Sequence, residues 1–563
     1  MNTSLLIKNG ILVTENETYP ADILIEDERI DAIGQNLTAP AEAEIIDASG
    51  CYVLPGVIDP HVHIQLDTGV FRTADDWETG TATAALGGVT TVIDFATQFP
   101  HQTASEGIAA RHREVLGLET TDLDQLASSP PQTPHPPYID YALHLMLTVL
   151  PDEDEELDAW MQDVRAAGVS AIKIYTTYRP NYYQNDAELL RSMRAAARAD
   201  RVVMVHAEND AIVSEATQRL VAQSKTDLSY HGKARPGFAE IEAAHRVIFL
   251  ADHARAELYI VHNSMGGTVE LIEKARQRGQ RVWSETCPQY LLMNETRYEG
   301  DDAWRYIMQP PLRDPYQPAH LWQMLASGAV QSLGTDHCDY TQAQKLGLRP
   351  LRDASIQSAL STLSPLARDV IIARFGLFDG RPRTQMETSH YLNLPLEQIQ
   401  QAENSAFAQI PGLAEQMMAL ITDLQRLDSS VSPSQLPFTQ TPGGLPGLQT
   451  ALPLMITYGV MPGHIDWPDL VRLMSANPAR IFRLDHRKGA LRPGLDADIV
   501  IYDPQGTDVI TDSEQATIGG FTPYKGMEVI GRVRDTIVRG QPIVRDGELI
   551  GPRGWGRYAP SRV

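Results

Sequence analysis

Hydrophobic and polar positions alternate in short runs at both ends of the chain. Near the start, this pattern covers residues 5–7, 11–13, 22–25 and 30–33, and Asn9-Gly10 is a favourable hairpin turn. Near the end, it covers residues 497–502, 528–532, 535–539 and 542–544. Two strand-rich ends around a different middle predict one small β-sandwich domain, assembled from residues 1–54 and 487–545, with a tail over 546–563.

The middle of the chain follows another pattern, in which short apolar runs alternate with amphipathic stretches. The apolar runs, typical of buried strands, cover residues 88–95, 141–149, 171–175, 202–206, 258–262, 281–284 and 329–334. Helical stretches separate them, for example at 186–199, 240–253 and 267–278. This alternation predicts an α/β fold, and about eight units predict a closed (β/α)8 barrel of the TIM type over residues 55–486. A doubly wound open sheet is the alternative, although no G-x-G-x-x-G motif follows an early strand.

Two segments interrupt the alternation. Residues 128–137 (SSPPQTPHPP) are rich in proline, which donates no hydrogen bond to a sheet, so we expect an exposed loop. Residues 347–436 are too long and too patterned for a linker. Amphipathic pieces at 367–375, 396–406 and 413–427 predict that this segment is a helical insertion in the barrel. Because it enters on the side where the strands end, we hypothesise that it forms a lid or an oligomer contact.

The charge balance narrows the range of partners. The chain has 563 residues and a formal net charge of −25, from 47 Lys and Arg against 72 Asp and Glu. Such a surface repels phosphate backbones and anionic lipids, so we expect neither nucleic acid nor a membrane as a partner. Three widely spaced cysteines (Cys51, Cys287 and Cys338) and no visible signal peptide favour a cytoplasmic protein.

Candidate chemistry begins at Asp59-Pro60-His61-Val62-His63, directly after an apolar run. Side chains at i and i+2 of a strand point to the same face, so His61 and His63 can bind one metal ion together. Alone, such a pair is a weak motif. Four more polar residues lie in or at the ends of predicted barrel strands, namely Lys173, His206, His262 and Asp336. Barrel enzymes build their active sites at the carboxyl ends of the strands, so we interpret these positions as one site.

Several motifs point to one protein family. They are Pro55-Gly56-Val57-Ile58-Asp59-Pro60-His61-Val62-His63, Gly87-Gly88-Val89-Thr90-Thr91, Val205-His206-Ala207-Glu208-Asn209, Ala234-Arg235-Pro236, Glu285-Thr286-Cys287-Pro288, Pro310-Pro311-Leu312-Arg313, Asp336-His337-Cys338, Asn477-Pro478-Ala479-Arg480 and Gly554-Trp555-Gly556-Arg557-Tyr558. Through them the chain resembles the amidohydrolase superfamily, and within it the dihydropyrimidinase/hydantoinase family of cyclic amidases. The resemblance covers nearly the whole chain apart from the two interrupting segments.

The resemblance implies a cofactor of two divalent metal ions, most often zinc, bridged by a carboxylated lysine. The ligands carried over by position are His61, His63 and Asp336 for one ion, His206 and His262 for the other, and Lys173, as N6-carboxylysine, for both. A lysine buried in an apolar strand has a lowered pKa and can react with CO₂, which makes this set chemically coherent.

The resemblance also implies roles in catalysis and substrate binding. Asp336 is expected to carry a proton from the attacking hydroxide to the leaving nitrogen, and Tyr178 to donate a hydrogen bond to the developing oxyanion. Gln309 and Gly443 are expected to contact the ring, although they replace the serine and asparagine usual in the family. Ile64-Gln65-Leu66 lacks the arginine with which dihydroorotases bind a carboxylate, which favours a small neutral cyclic amide as substrate.

The leading interpretation is a metal-dependent hydrolase that opens a dihydropyrimidine or 5-substituted hydantoin ring to the N-carbamoyl amino acid, using a bridging hydroxide. One alternative is a hydrolase of another cyclic amide, such as allantoin or a cyclic imide, because the metal site does not select a ring. Another is a non-catalytic dihydropyrimidinase-like scaffold, which the complete ligand set disfavours. Similar enzymes are commonly homotetramers, so we expect a homo-oligomer, either tetramer or dimer.

Overall fold

The strands of the protein are divided between two sheets. The structure, a computed structural model, describes residues 4–68, 71–347, 356, 359–360, 362–377, 382–392, 394–419 and 436–562. One sheet has eight strands and the other has nine. In the described part of the chain, no helix is both long enough and apolar enough to cross a membrane.

The eight-stranded sheet is a parallel barrel in which strands consecutive in the chain are neighbours. Its strands are β6 (Val57–Asp59), β7 (Val89–Gln98), β8 (Asp140–Leu147), β9 (Ala171–Tyr175), β10 (Val202–His206), β11 (Leu258–Ile260), β12 (Val282–Thr286) and β13 (Ser332–Leu333). The two ends of the sheet meet where Val62 bridges His337 in parallel and the His63 N–H donates to the His337 carbonyl at 2.7 Å. The predicted (β/α)8 barrel is therefore confirmed, and the open-sheet alternative is wrong.

Helices surround the barrel and cover its strands. The principal helices are Trp77–Leu86, Ala104–Leu116, Asp154–Ala166, Asp186–Arg198, Asp210–Ala222, Gly237–Ala254, Gly266–Gln277, Gln317–Ala326, Ala451–Met455, Trp467–Val471 and Asn477–Ile481, and shorter ones are Leu123–Ser128, His231–Ala234, Pro288–Leu292 and Gln342–Lys345. The helices cover the outer faces of the parallel strands, and side chains fill the inside of the barrel, so the strands have no exposed face. All eight residues of β8 are buried. Local signals set the helix ends, for example the capping box of Asn185 and Glu188 before Asp186–Arg198.

Both termini contribute to the nine-stranded sheet. Its strands are β1 (Ser4–Val13), β2 (Thr18–Glu26), β3 (Arg29–Gly34), β4 (Glu44–Asp47), β5 (Tyr52–Pro55), β14 (Ile499–Val509), β15 (Glu528–Val538), β16 (Gln541–Arg545) and β17 (Glu548–Leu549). Antiparallel pairing of β5 with β14 joins the two ends of the chain. Ile7 and Val53 pack with Ile499 and Ile537 in a core separate from that of the barrel. The prediction of one β domain built from both termini is confirmed, and its strands are hydrogen bonded as a continuous sheet.

Buried charges join the barrel to the β domain. Asp140, at the start of β8, accepts from Lys488 Nζ at 2.8 Å and from Arg539 Nε at 3.0 Å. Asp498 accepts from the same lysine at 2.5 Å. Burial of these charges is tolerated because each is paired and hydrogen bonded.

The described part of the insertion is helical, as predicted. Its helices are Pro365–Arg374, Gln385–Leu392 and Leu396–Gln409. Residues 413–419 are also helical, whereas the rest of the piece predicted at 413–427 lies outside the described residues. Ile371, Phe375 and Met417 belong to a small separate core. The insertion contacts the proline-rich loop through His135, whose Nε2 meets the carbonyl of Tyr391.

Candidate metal centre

The six predicted metal ligands meet at the carboxyl ends of the barrel strands. His61 and His63 follow β6, Lys173 lies in β9 and His206 ends β10. His262 follows β11 and Asp336 follows β13. All six line one cavity of about 570 Å³. The structure thus brings together residues that are up to 275 positions apart in the sequence, as the strand-end pattern predicted.

His61, His63 and Asp336 form one half of this cluster. The Oδ1 atom of Asp336 lies 3.4 Å from His61 Nε2 and 3.3 Å from His63 Nε2. Burial alone would raise the pKa of Asp336, but the two imidazoles and Lys173 hold it below its usual value. The carboxylate is therefore ionised, as a carboxylate that binds a metal must be. It also faces two ring nitrogens.

Lys173 lies between the two halves of the cluster. Its Nζ atom is 3.3 Å from His61 Nε2 and lies over the rings of Phe95 and Tyr175. Burial lowers the pKa of this amine to about 8, although Asp336 and Glu285 oppose the shift. A substantial fraction of the amine is then neutral near pH 8 and able to react as a nucleophile.

His206 and His262 form the other half, with ring centroids 4.5 Å apart. Glu208 Oε2 lies 2.7 Å from His206 Nε2, so Nδ1 is the ring nitrogen left for the site. The His262 N–H donates to Glu285 Oε1 at 2.7 Å. Burial lowers the pKa of His61, His206 and His262, so these rings are neutral and their lone pairs are available.

Two buried carboxylates that the sequence reasoning missed orient these histidines. Glu285 Oε1 lies 2.8 Å from His61 Nδ1, and its Oε2 accepts from the Tyr259 hydroxyl at 2.8 Å. Burial raises the pKa of Glu285 to about 7. Glu208 holds His206 in the same manner. A carboxylate behind a ligating histidine fixes its tautomer and raises its basicity, and the motif His206-Ala207-Glu208 was the available signal.

Arg235, also missed, neutralises Glu208. Its Nε lies 3.1 Å from both carboxylate oxygens, and its Nη2 donates to Oε2 as well. Both side chains are buried, and the arginine, opposing the effect of burial, holds the pKa of Glu208 below its usual range. The same guanidinium lies 5.2 Å from the ring centroid of Tyr178, so it links the carboxylate to the predicted oxyanion donor.

Tyr178, Gln309 and Gly443 line the same cavity as the six ligands. The Tyr178 ring is 4.9 Å from that of His206, and burial raises the pKa of its hydroxyl, which stays protonated as a donor. A Cβ atom added at Gly443 would lie 3.0 Å from Gln309 Cδ, so these two residues pack directly against each other. Their common position is compatible with the predicted substrate contacts.

The donor set fits two divalent ions. Imidazole nitrogen and carboxylate oxygen suit zinc, manganese, iron or cobalt. One ligand atom each from His61, His63 and Asp336 lies within 4.8 Å of the others. Among the described residues, the buried Nδ1 atoms of His63 and His262 have no hydrogen-bond partner. Buried polar atoms normally have one, so protein groups alone do not satisfy this cluster.

A second group of candidate ligands consists of the buried residues Asp75, His337 and Asp339. The Gly447 N–H donates to His337 Nδ1 at 3.2 Å, which requires that the proton of this ring be on Nε2. That Nε2 faces Asp75 Oδ2 at 3.3 Å and Asp339 Oδ1 at 3.7 Å. His337 Nε2 therefore points towards two carboxylates, although among the described residues neither this nitrogen nor Asp75 Oδ2 has a hydrogen-bond partner.

The insertion adjoins one wall of the cavity. A separate cavity of about 260 Å³ lies between Gln65 and Arg72 on one side and Asp369, Ile372 and Tyr391 of the insertion on the other. Leu66, Thr68 and Phe71, from the same 65–72 loop, line the metal-site cavity. The insertion thus lies beside this loop, on the catalytic side of the barrel.

Comparisons with known proteins agree with this architecture. Two models described as "Amidohydrolase family" match residues 52–394 and 440–544. A D-hydantoinase of Geobacillus stearothermophilus is 30% identical over 98% of this chain and 95% of its own length. A D-phenylhydantoinase of Escherichia coli is 31% identical over 98% of this chain and 97% of its own length.

Solved structures agree as well. The crystal structure of a dihydropyrimidinase from Brevibacillus agri has a TM-score of 0.77 at 29% identity and covers 100% of this chain and 99% of that one. The resemblance inferred from the motifs is confirmed. The chain belongs to the amidohydrolase superfamily and, within it, to the hydantoinase/dihydropyrimidinase family.

Proposed function

We propose that this protein hydrolyses the ring of a cyclic amide, either a dihydropyrimidine or a 5-substituted hydantoin, to the N-carbamoyl amino acid. The observation that carries this proposal is the convergence of six nitrogen and oxygen ligands in one cavity beside a tyrosine donor. The names of the relatives, D-hydantoinase and dihydropyrimidinase, support the class of ring. Ile64-Gln65-Leu66, directly after His63, contains no arginine, which favours a neutral ring.

The proposed cofactor is two divalent ions, with zinc the leading candidate. His61, His63 and Asp336 would hold one ion, and His206 and His262 the other. Lys173 would join them after its amine attacks CO₂, forming a C–N bond and releasing a proton, since the resulting carbamate has an oxygen for each ion. When bound, the ions lower the pKa of a shared water and polarise the substrate carbonyl.

Two residues of the chain would move protons and stabilise charge. Asp336 is ionised and would accept the proton of the attacking water, then return it to the ring nitrogen as the C–N bond breaks. Tyr178, kept protonated by burial, would donate its hydroxyl to the oxyanion that develops on the carbonyl. Gln309 and the main chain at Gly443 would contact the ring on the wall formed by their segments.

Metal analysis and a substrate panel test this function. Protein produced with zinc and bicarbonate should contain two equivalents of metal per chain and should convert dihydrouracil or a 5-substituted hydantoin to a carbamoyl product. Asp336→Asn is the matched control and should lose turnover. Activity only on allantoin or a simple cyclic imide would favour that alternative. Two equivalents of metal with no ring opened, or no metal at all, would contradict the proposal.

We also propose that the insertion shapes the outer part of the substrate pocket, because it adjoins the 65–72 loop. Deletion of residues 348–435 should change the preference among 5-substituents. Unchanged kinetics together with unchanged assembly would rule out both a lid and an oligomer contact. Light scattering on the same proteins measures the expected homo-oligomer, tetramer or dimer.

A further inference from the structure

Lys345 is a buried lysine outside the metal centre. It ends the short helix Gln342–Lys345, just before the insertion, and its side chain is fully buried. The Nζ atom donates to the carbonyl oxygens of Ile307 at 2.7 Å and Pro442 at 2.9 Å. Among the described residues it forms no ion pair with a carboxylate. Burial of an amine is costly unless it is hydrogen bonded, and these two carbonyls supply the hydrogen bonds.

Both carbonyls belong to segments that line the substrate cavity. Ile307 is two residues before Gln309, and Pro442 directly precedes Gly443. The Gly444 N–H also donates to the Ile307 carbonyl, at 3.0 Å. Lys345 and the Gly444 N–H therefore join the two segments at the point where Gln309 and Gly443 pack against each other.

The same helical turn holds a third segment. Gln344 Nε2 donates to the Arg72 carbonyl at 2.8 Å, next to Phe71, which lines the cavity. Two adjacent side chains are thus hydrogen bonded to three segments that are far apart in the sequence. Of these two side chains, Lys345 is the one that is hydrogen bonded to both segments proposed to bind the ring.

We propose that Lys345 is a positioning residue for substrate binding, which sets the spacing of the Gln309 and Gly443 segments through their carbonyls. This role rests on the function proposed above. Lysine suits the task because one nitrogen on a long stem provides donors in several directions. Loss of those donors removes the Lys345 hydrogen bond from the buried Pro442 carbonyl and leaves the Ile307 carbonyl with the Gly444 N–H alone, so the segments must move or admit water.

The primary test is Lys345→Met, which keeps the shape of the side chain and removes the donors. The expected result is a KM raised about tenfold or more, with kcat within about threefold and two equivalents of metal retained, as for lost ground-state binding. Lys274→Met, on the exposed face of Gly266–Gln277, is the control and should behave as the parent protein. An unchanged KM in Lys345→Met would overturn the proposal.

Two further measurements keep the test decisive. If Lys345→Met does not fold, Lys345→Gln retains N–H donors on a shorter stem and should raise KM by a smaller factor. Hydrogen exchange of peptides that contain Gly444 and Met308 should be faster in either variant whether or not a ring is hydrolysed. Unchanged exchange in both segments refutes the positioning role, whereas faster exchange in a protein that opens no ring refutes only the proposed function.

Discussion

Replacement of Arg235 by methionine is expected to remove one metal ion selectively. Arg235 is the buried cation that pairs with Glu208, which in turn lies 2.7 Å from His206 Nε2. Methionine fills much of the same volume but cannot neutralise the carboxylate. Glu208 would then be a buried, unpaired charge, and its pKa would rise until it binds a proton.

The size of the effect follows from burial. Both side chains of the pair are at most 9% exposed, so the removal of one partner should lower the free energy of unfolding by about 3–5 kcal/mol. A protonated Glu208 polarises His206 less, and loss of such an outer carboxylate usually weakens metal affinity about 10–100-fold. That range corresponds to about 1.4–2.7 kcal/mol at the ion proposed to bind His206 and His262.

The assay is metal content after dialysis against a graded chelator series. The variant should pass from two equivalents to one at a chelator concentration that leaves the parent protein fully loaded, because the His61, His63 and Asp336 side keeps its own carboxylate, Glu285. Arg235→Met combined with Glu208→Gln should recover stability, since no unpaired charge remains, but should not recover affinity. Arg539→Met, which breaks the buried pair with Asp140, controls for lost stability alone.

The metal content of these variants can refute a role of Glu208 in metal binding. If Arg235→Met binds both ions as tightly as the parent protein while its stability falls, Glu208 does not act on the metal through His206. If both ions leave together, the two halves of the cluster are not independent. Loss of both ions in Arg539→Met as well would indicate that general destabilisation is the cause.

Tyr178, Lys173 and Lys345 can each be tested separately. Tyr178→Phe should lower kcat about 10²–10³-fold with metal content and KM nearly unchanged, because one oxyanion donor is removed, and equal kcat in steady-state assays would exclude that role. Lys173→Met should bind less than one equivalent of metal and show no turnover, and native mass spectrometry of the parent protein should detect the added CO₂ that the variant lacks. Burial lowers the pKa of Lys345 from 10.5 to about 7, so the unfolded chain binds more protons between these values. The unfolding free energy of the parent protein minus that of Lys345→Met should accordingly rise by about 1.4 kcal/mol per pH unit from pH 7 to 10. This relative stability is lost as the pH falls over the same range. Urea midpoints of the two proteins that move in parallel with pH would contradict this.

The sequence predicted the parts of the site that lie on regular elements. Strands place their last residues at one edge, so the positions of His206 and Asp336 could be inferred from hydrophobic pattern alone. The helices of the insertion and the pairing of the two ends followed from periodicity in the same way. Motif resemblance added Tyr178, which no strand pattern marks.

The outer layer of the site could not be predicted, because it depends on contacts between distant segments. Glu285 contacts His61, which lies 224 positions away in the sequence. Arg235 contacts Glu208 from just after the short helix His231–Ala234. Each is a charged residue that nothing in the surrounding sequence distinguishes, and only its burial in the folded protein reveals its role. The role of Lys345 is harder still to predict from the sequence. Gln342-Ala343-Gln344-Lys345 resembles an exposed helical turn, yet the lysine is fully buried.

Three residues of the candidate site have an unusual backbone conformation. Tyr178, His262 and Asp336 have left-handed φ values of 73°, 39° and 52°. Such a conformation costs of order 1–3 kcal/mol for a side chain other than glycine, and surrounding contacts must offset it. At His262 the N–H to Glu285 hydrogen bond supplies one such contact. Glycine would relieve the strain at all three positions but would remove a proposed ligand or a proposed donor.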